Sequence, residues 1–181
     1  GAKIVPFAGF EMPVQYSGVT EEHFAVREKV GIFDVSHMGQ FFVEGASAKD
    51  LLQYVTSNNV ENLENGKAQY SCLPNGNGGI VDDLIVYKIE DEKYFVVVNA
   101  SNIEKDWNHI SSFNEKFGAK MSNVSDETSL IAIQGPKATE TLQKLTETQL
   151  SDIPYYHFTV GSVAGVENVI ISNTGYTGSG G

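Results

Sequence analysis

The segment from Ala68 to Lys88 most constrains what this chain can fold into. Ala68–Leu73 reads as a strand, and Asn75-Gly76-Asn77-Gly78-Gly79 is a strong turn signal. Ile80–Lys88 reads as the next strand. Two strands joined by so short a turn must pair antiparallel. The charged turn Glu90–Lys93 then leads into a third strand, Tyr94–Asn99. Gly39–Glu44 is a strand broken by Gly45, and Ser47–Thr56 is a helix with Leu51, Leu52 and Val55 on one face. Ser101-Asn102-Ile103-Glu104 is a capping box, in which the Ser101 hydroxyl accepts from the Glu104 N–H. It opens a helix carrying Ile103, Trp107 and Ile110 at helical spacing. With a strand at Lys120–Val124, the order over 39–124 is β-α-β-β-β-α-β, which predicts an α+β unit of antiparallel sheets flanked by helices.

The flanking segments are less regular. The first 20 residues, rich in Gly, Pro and aromatics, read as irregular. Thr20 is expected to cap a helix over about Glu21–Val30 that Gly31 ends. Leu130–Gln134 reads as a strand, Gly135 as a breaker and Pro136 as the first position of a helix running to about Leu145, with Leu142 and Leu145 facing inward. Strands around Tyr156–Val160 and Val169–Ser172 precede a glycine-rich close, Gly175–Gly181. The expected organisation is a discontinuous first domain, 1–38 and 125–181, with 39–124 inserted into it.

Composition limits the function. Ten Phe and eight Tyr among 181 residues, with 41% hydrophobic content, describe a chain that folds. Twelve basic against 23 acidic residues leave a net charge of −11. Such a surface repels nucleic acid and anionic lipid, and no cluster of three Lys or Arg offsets it. No apolar run approaches the roughly 20 residues of a membrane-spanning helix. The single Cys72 excludes an internal disulfide and fits a reducing compartment. His23, His37, His109 and His157 show no metal-ligand spacing, so no metal is expected.

The Asp82-Asp83 pair stands out because it interrupts an apolar strand, Ile80–Tyr87. Neighbours in a strand point to opposite faces. Asp82 is therefore grouped with Ile80, Leu84 and Val86, and Asp83 with Val81, Ile85 and Tyr87. Two readings follow. If both faces are covered, at least one carboxylate is poorly solvated or specifically partnered, which suits proton transfer. Alternatively, both lie near the strand's entrance, solvated or bonding the turn's amides. His37 likewise either faces a pocket or is a hydrogen-bonded core histidine. Gly76–Gly79 lacks the Lys-Ser/Thr of a phosphate-binding loop, no Gly-x-Ser-x-Gly is present, and Asp34, Ser36 and His37 are too close along the chain for a triad. Tyr70, Tyr87, Tyr155, Tyr156 and Tyr176 are ordinary core or edge residues, or they line a flat heteroaromatic ligand.

Strings along the whole chain resemble the T-protein family of the glycine cleavage system, in order and spacing. They include Phe7-Ala8-Gly9-Phe10-Glu11-Met12-Pro13, Ser36-His37-Met38-Gly39, Gly78-Gly79-Ile80-Val81-Asp82-Asp83-Leu84, Ala132-Ile133-Gln134-Gly135-Pro136 and Thr174-Gly175-Tyr176-Thr177-Gly178. The resemblance implies a tetrahydrofolate-dependent aminomethyltransferase. Such an enzyme takes the aminomethyl group carried on lipoylated H-protein, releases ammonia and passes the one-carbon unit to tetrahydrofolate as co-substrate. It implies that Asp83 is the catalytic carboxylate and that Met38, Tyr70, Val97, Asn99, Tyr155 and Tyr176 line the folate pocket. It implies a site of action in the bacterial cytoplasm, or the mitochondrial matrix of a eukaryote. The family commonly continues past Thr-Gly-Tyr-Thr-Gly with Glu-Asp-Gly-Phe-Glu, where this chain has Ser179-Gly180-Gly181. A pterin-anchoring Glu, a downstream Arg and a C-terminal domain are thus expected beyond this sequence, and the chain alone is expected to be inactive. A non-catalytic folate-binding module, or another folate-dependent relative of the same fold, is the alternative.

Overall fold

In the computed structural model, which describes residues 1–181, the chain leaves its first unit at residue 37 and returns to it at residue 130. The first unit begins with strands β1 (Lys3–Phe7) and β2 (Phe10–Gln15), paired antiparallel across Ala8 and Gly9. Both turn residues have positive φ, 47° and 87°, the geometry that a two-residue hairpin requires. The expectation of irregular chain is corrected here. Pro6 and Pro13 break the strand pattern in the sequence, but in a two-stranded sheet both strands are edges, where proline is tolerated. Helix α1 (Val19–Glu28) starts one residue before Thr20 and has no side-chain cap. Glu22 organises its entry instead, accepting the backbone N–H groups of Tyr16, Ser17 and Gly18 at 2.7, 2.7 and 3.0 Å. These bonds, Gly18's foremost, hold the Glu22 carboxyl below its usual range. Strand β3 (Gly31–Asp34), unanticipated at only four residues, closes this part of the unit.

The second unit, residues 38–129, runs β4 (Gly39–Glu44), α2 (Ala48–Val55), β5 (Lys67–Pro74), β6 (Ile80–Glu90), β7 (Lys93–Val98), α3 (Ile103–Asn114) and β8 (Lys120–Asn123). Its five strands form one antiparallel sheet in the order β5-β6-β7-β4-β8. Leu51, Leu52 and Val55 of α2 and Ile110 of α3 pack on one face of it, against Phe41, Val43, Leu73, Leu84, Val86, Val96 and Val98. Gly39 lets α3 come close, since a Cβ there would lie 2.6 Å from Ile103 and 2.7 Å from Val98. The capping box does not form. A 3-10 turn at Ala100–Asn102 precedes α3, Asn102 takes the N-cap place, and no side chain caps the helix.

The chain then returns to the first unit as β9 (Ile131–Gln134), α4 (Ala138–Leu142), β10 (Phe158–Val163) and β11 (Val166–Ser172). β9 pairs antiparallel with β3, and β10 with β11. Pro136 lies in the turn before the helix, whose N-cap is Lys137. After Leu142 the helix tightens to a 3-10 turn, Gln143–Leu145. Leu145 is exposed, contrary to the expected inward stripe, and its carbonyl accepts the Ala164 N–H at 2.7 Å. No helix is long and apolar enough to cross a membrane.

Gly135 carries the join between β9 and α1. Its φ is 124°, and a Cβ would stand 2.6 Å from the Lys29 carbonyl oxygen and 2.7 Å from that of Val26. Gly135→Ala should destabilise the chain by about 2 kcal/mol or more, combining left-handed strain with a backbone clash. Thermal unfolding with an unshifted midpoint would contradict that geometry.

Candidate functional site

A bulge near the start of β6 sets the position of both carboxylates. Cys72 pairs with Asp83 and Leu73 with Asp82, but Pro74 pairs with Ile80, so Val81 is the extra residue. Val81 consequently packs on the helix-side core, while Ile80 is exposed, which corrects the simple alternation expected for them. From Asp82 onward the alternation holds. Asp82 shares the helix side with Leu73 and Leu84, and Asp83 shares the opposite side with Tyr70, Ile85 and Val97. Neither carboxylate bonds the preceding turn, whose Asn77 and Gly79 N–H groups go to Asn75 Oδ1.

Both carboxylates are instead held by side chains from neighbouring strands. The Tyr70 hydroxyl on β5 donates to Asp83 Oδ2 at 2.6 Å. The Asn99 amide donates to Asp83 Oδ1 at 3.0 Å, to Asp82 Oδ1 at 3.1 Å and to the Asp83 carbonyl at 3.3 Å. Asn99 reaches them because it follows Val98, which pairs with Leu84. Val97, buried opposite Ile85, gives this side an apolar floor, and half-buried Met38 precedes Gly39, the partner of Val98. Tyr70, Asp83, Val97 and Asn99 are thus brought together on one sheet.

Tyr155 and Tyr176 belong to the first unit, and both rings are exposed. Tyr155 meets Tyr156 edge-on at 4.8 Å, and Tyr156 holds a left-handed φ of 59°. Tyr176 sits in a loop gathered by one buried side chain. Gln134 Oε1 accepts the Tyr176 N–H at 3.1 Å, the Thr177 N–H at 3.3 Å and the Thr177 hydroxyl at 3.1 Å. His37 packs edge-on against Phe7 at 5.5 Å, an aromatic contact within the first unit. No group of three or more His, Cys, Asp or Glu is placed to hold a metal ion. A surface concavity of about 660 Å³, lined by Glu44, Asn65 and Glu90–Lys93, lies at the β6–β7 turn, the far end of these strands from Asp83.

A residue not singled out in the sequence completes the electrostatics. Asp106 of α3 is fully buried. Burial, together with its contact with Asp82, pushes its carboxyl up to about 8. Burial raises Asp82 too, but hydrogen bonds from Asp106, Asn102, the Asp83 backbone and Asn99 hold it below the usual carboxylate range. The signal was present in the sequence: Asp106 falls on the same helical stripe as Ile103 and Ile110, where a charge does not belong unless partnered.

The chain matches the GCVT N-terminal domain family over residues 1–181. It is 63% identical to an aminomethyltransferase of Flavobacterium psychrophilum and 61% identical to one of Bacteroides fragilis. Each alignment covers all of this chain and 50% of the relative. The chain therefore spans about half the length of the curated relatives it matches. Among solved structures it resembles glycine cleavage system aminomethyltransferase T from Bartonella henselae, with TM-score 0.88 and 31% identity over 99% of this chain and 48% of that one. It shares only a fold with heterotetrameric sarcosine oxidase from Corynebacterium sp. U-96, at TM-score 0.59 and 13% identity over 83% of this chain and 75% of that one.

Asn99→Ala removes the only donor shared by the two carboxylates and should lower stability by about 1.5–3 kcal/mol, the range for hydrogen bonds to charged groups. Urea unfolding at neutral pH checks this, and a loss below about 0.5 kcal/mol would mean that the Asn99 bridge is not made in solution.

Proposed function

The chain belongs to the GCVT N-terminal domain family, and on that premise we propose that it supplies the folate-side catalytic carboxylate, Asp83, of a glycine cleavage system aminomethyltransferase. One observation carries this reading. Asp83 stands on an apolar stretch of sheet with each oxygen fixed by a different donor, Tyr70 on one and Asn99 on the other. A carboxylate accepts about four hydrogen bonds, so each oxygen keeps room for a ligand N–H. A directed, rigid acceptor beside an apolar floor suits a flat amine that must give up a proton.

In this reading the donor is the aminomethyl group on the lipoyl arm of H-protein, and the co-substrate is tetrahydrofolate. The carbon's bonds to the lipoyl sulfur and to the amine nitrogen break, the arm regains its thiol, and ammonia and 5,10-methylenetetrahydrofolate leave. Tetrahydrofolate supplies two ring-linked nitrogens, N5 and N10, that share the transferred carbon. Asp83 faces the N10 side and takes up the proton released as N5 becomes nucleophilic. Tyr70 and Asn99 keep the Asp83 carboxylate from rotating. Val97 and Met38 exclude water from one side of the ligand, which strengthens each polar contact there. The activity belongs to the whole protein, of which relatives have about twice this length. The bacterial relatives support a cytoplasmic site of action.

In the whole-length protein, Asp83→Asn should reduce turnover at least about 100-fold while leaving the unfolding midpoint in place. Anaerobic calorimetric titration of the 181-residue chain with tetrahydrofolate, beside the same variant, reads binding separately from turnover. Near-normal turnover of Asp83→Asn would overturn the assignment.

A further inference from the structure

Asp106 has no part in the chemistry described so far, yet it is among the most deeply buried charged side chains. It projects from α3 toward Asp82 on β6, and no cation lies between them. Lys105, its neighbour, turns its Nζ to the Val81 carbonyl at 2.7 Å. Asp82 Oδ2 and both carboxyl oxygens of Asp106 are sealed from solvent and find no donor while both groups are ionised. Two carboxylates in such contact cannot both keep their charge, and a single proton between them joins Asp82 Oδ2 to one of the Asp106 oxygens.

The surroundings decide where that proton sits. Asp82 already accepts from Asn99, and the Asn102 side chain and Asp83 backbone favour its charged form. Asp106 has only burial and two negative neighbours, Asp82 and Asp83, with Lys105 as the one opposing influence. The proton therefore belongs to Asp106. The Asn99 amide that bonds Asp82 is the same amide that bonds Asp83 Oδ1. We propose that Asp106 is a positioning residue: it stays protonated, donates a hydrogen bond to Asp82, and through Asn99 fixes the direction of the Asp83 carboxylate. This rests on the reading of Asp83 as the reacting carboxylate.

The pH dependence follows from the same geometry. The titratable groups around Asp106 are Asp82 and Asp83 from β6, and Lys105 and His109 on its own helix. From α2, which also packs on α3, Lys49 pairs with Glu61, and Asp50 acts on Tyr94. Burial lowers His109, and its bond to the Pro74 carbonyl works the other way. Because Asp106 is raised from 3.8 to about 8 in the fold, the folded chain holds a proton that the unfolded chain lacks between those values. Its contribution to stability thus falls as pH rises through that window and levels off above it. Above about 8, a second negative charge faces Asp82, and the Asn99 bridge loosens.

Carbon-13 carboxyl NMR of the 181-residue chain tests this without any activity. Asp106 is expected to titrate with a midpoint near 8 and Asp82 below the usual range, and the Asn99 side-chain amide signal should move with the Asp106 midpoint. In Asp106→Asn, which keeps a donor but cannot ionise, the Asn99 signal should hold its low-pH position throughout. Titration of Asp106 near 4, or an Asn99 signal blind to it, overturns the proposal. In the whole-length protein, Asp106→Leu should lower kcat about tenfold with little change in the KM for folate, and Asp106→Asn should recover most of that loss and remove the fall in rate at alkaline pH. Unaltered kcat and pH profile in these variants, with Asp83→Asn inactive, refutes the positioning role. A fully active Asp83→Asn refutes the Asp83 reading instead.

Discussion

The register of β6 against β7 places Leu84 opposite Val98 and so sets Asn99 beside the two aspartates. Everything at the site follows from that alignment. One amide then has three acceptors within reach, and Tyr70 on β5 closes the other side of Asp83. The sheet is rigid because its other face is a packed core: α2 and α3 bury Leu51, Leu52, Val55 and Ile110 against it. The apolar core thus holds the polar groups in place. Hydrophobic contacts are non-directional and tolerate small shifts, whereas hydrogen bonds to a carboxylate do not.

Much of this was legible in the residues, and the failures have physical causes. The β-α-β-β-β-α-β order followed from turn glycines and helical stripes, which are local signals. The β1–β2 hairpin was hidden because prolines, which usually speak against a strand, are harmless where every strand is an edge. The capping box at Ser101 was a sound local pattern, but a 3-10 turn displaced the N-cap by one residue, to Asn102. Leu145 failed because a stripe of leucines predicts burial only while the helix keeps its period, and it tightens after Leu142.

The carboxylates show the same limit from the other side. Strand parity assigned Asp82 and Asp83 to opposite faces, and the structure keeps them there. Their partners were another matter. Tyr70 and Asn99 lie 13 and 16 residues from Asp83 along the chain, Asp106 lies 24 from Asp82, and only the folded register selects them. No spacing rule in the sequence distinguishes a carboxylate bonded across a sheet from one bonded to its own turn. The resemblance named Tyr70 and Asn99 but was silent on Asp106, whose place on the Ile103–Ile110 stripe hints at burial but does not name its partner.

The bulge at Val81 has a mechanical consequence. In a regular hairpin, adding or losing one residue in the turn would reverse the facing of every side chain behind it. Here the irregularity sits between the Asn75–Gly79 turn and the aspartates, so a change in turn length can be absorbed by the bulge before it reaches Asp82. A longer or shorter hairpin tip thus leaves the acidic pair oriented as it is. The bulge works as a mechanical buffer between the turn and the acidic pair.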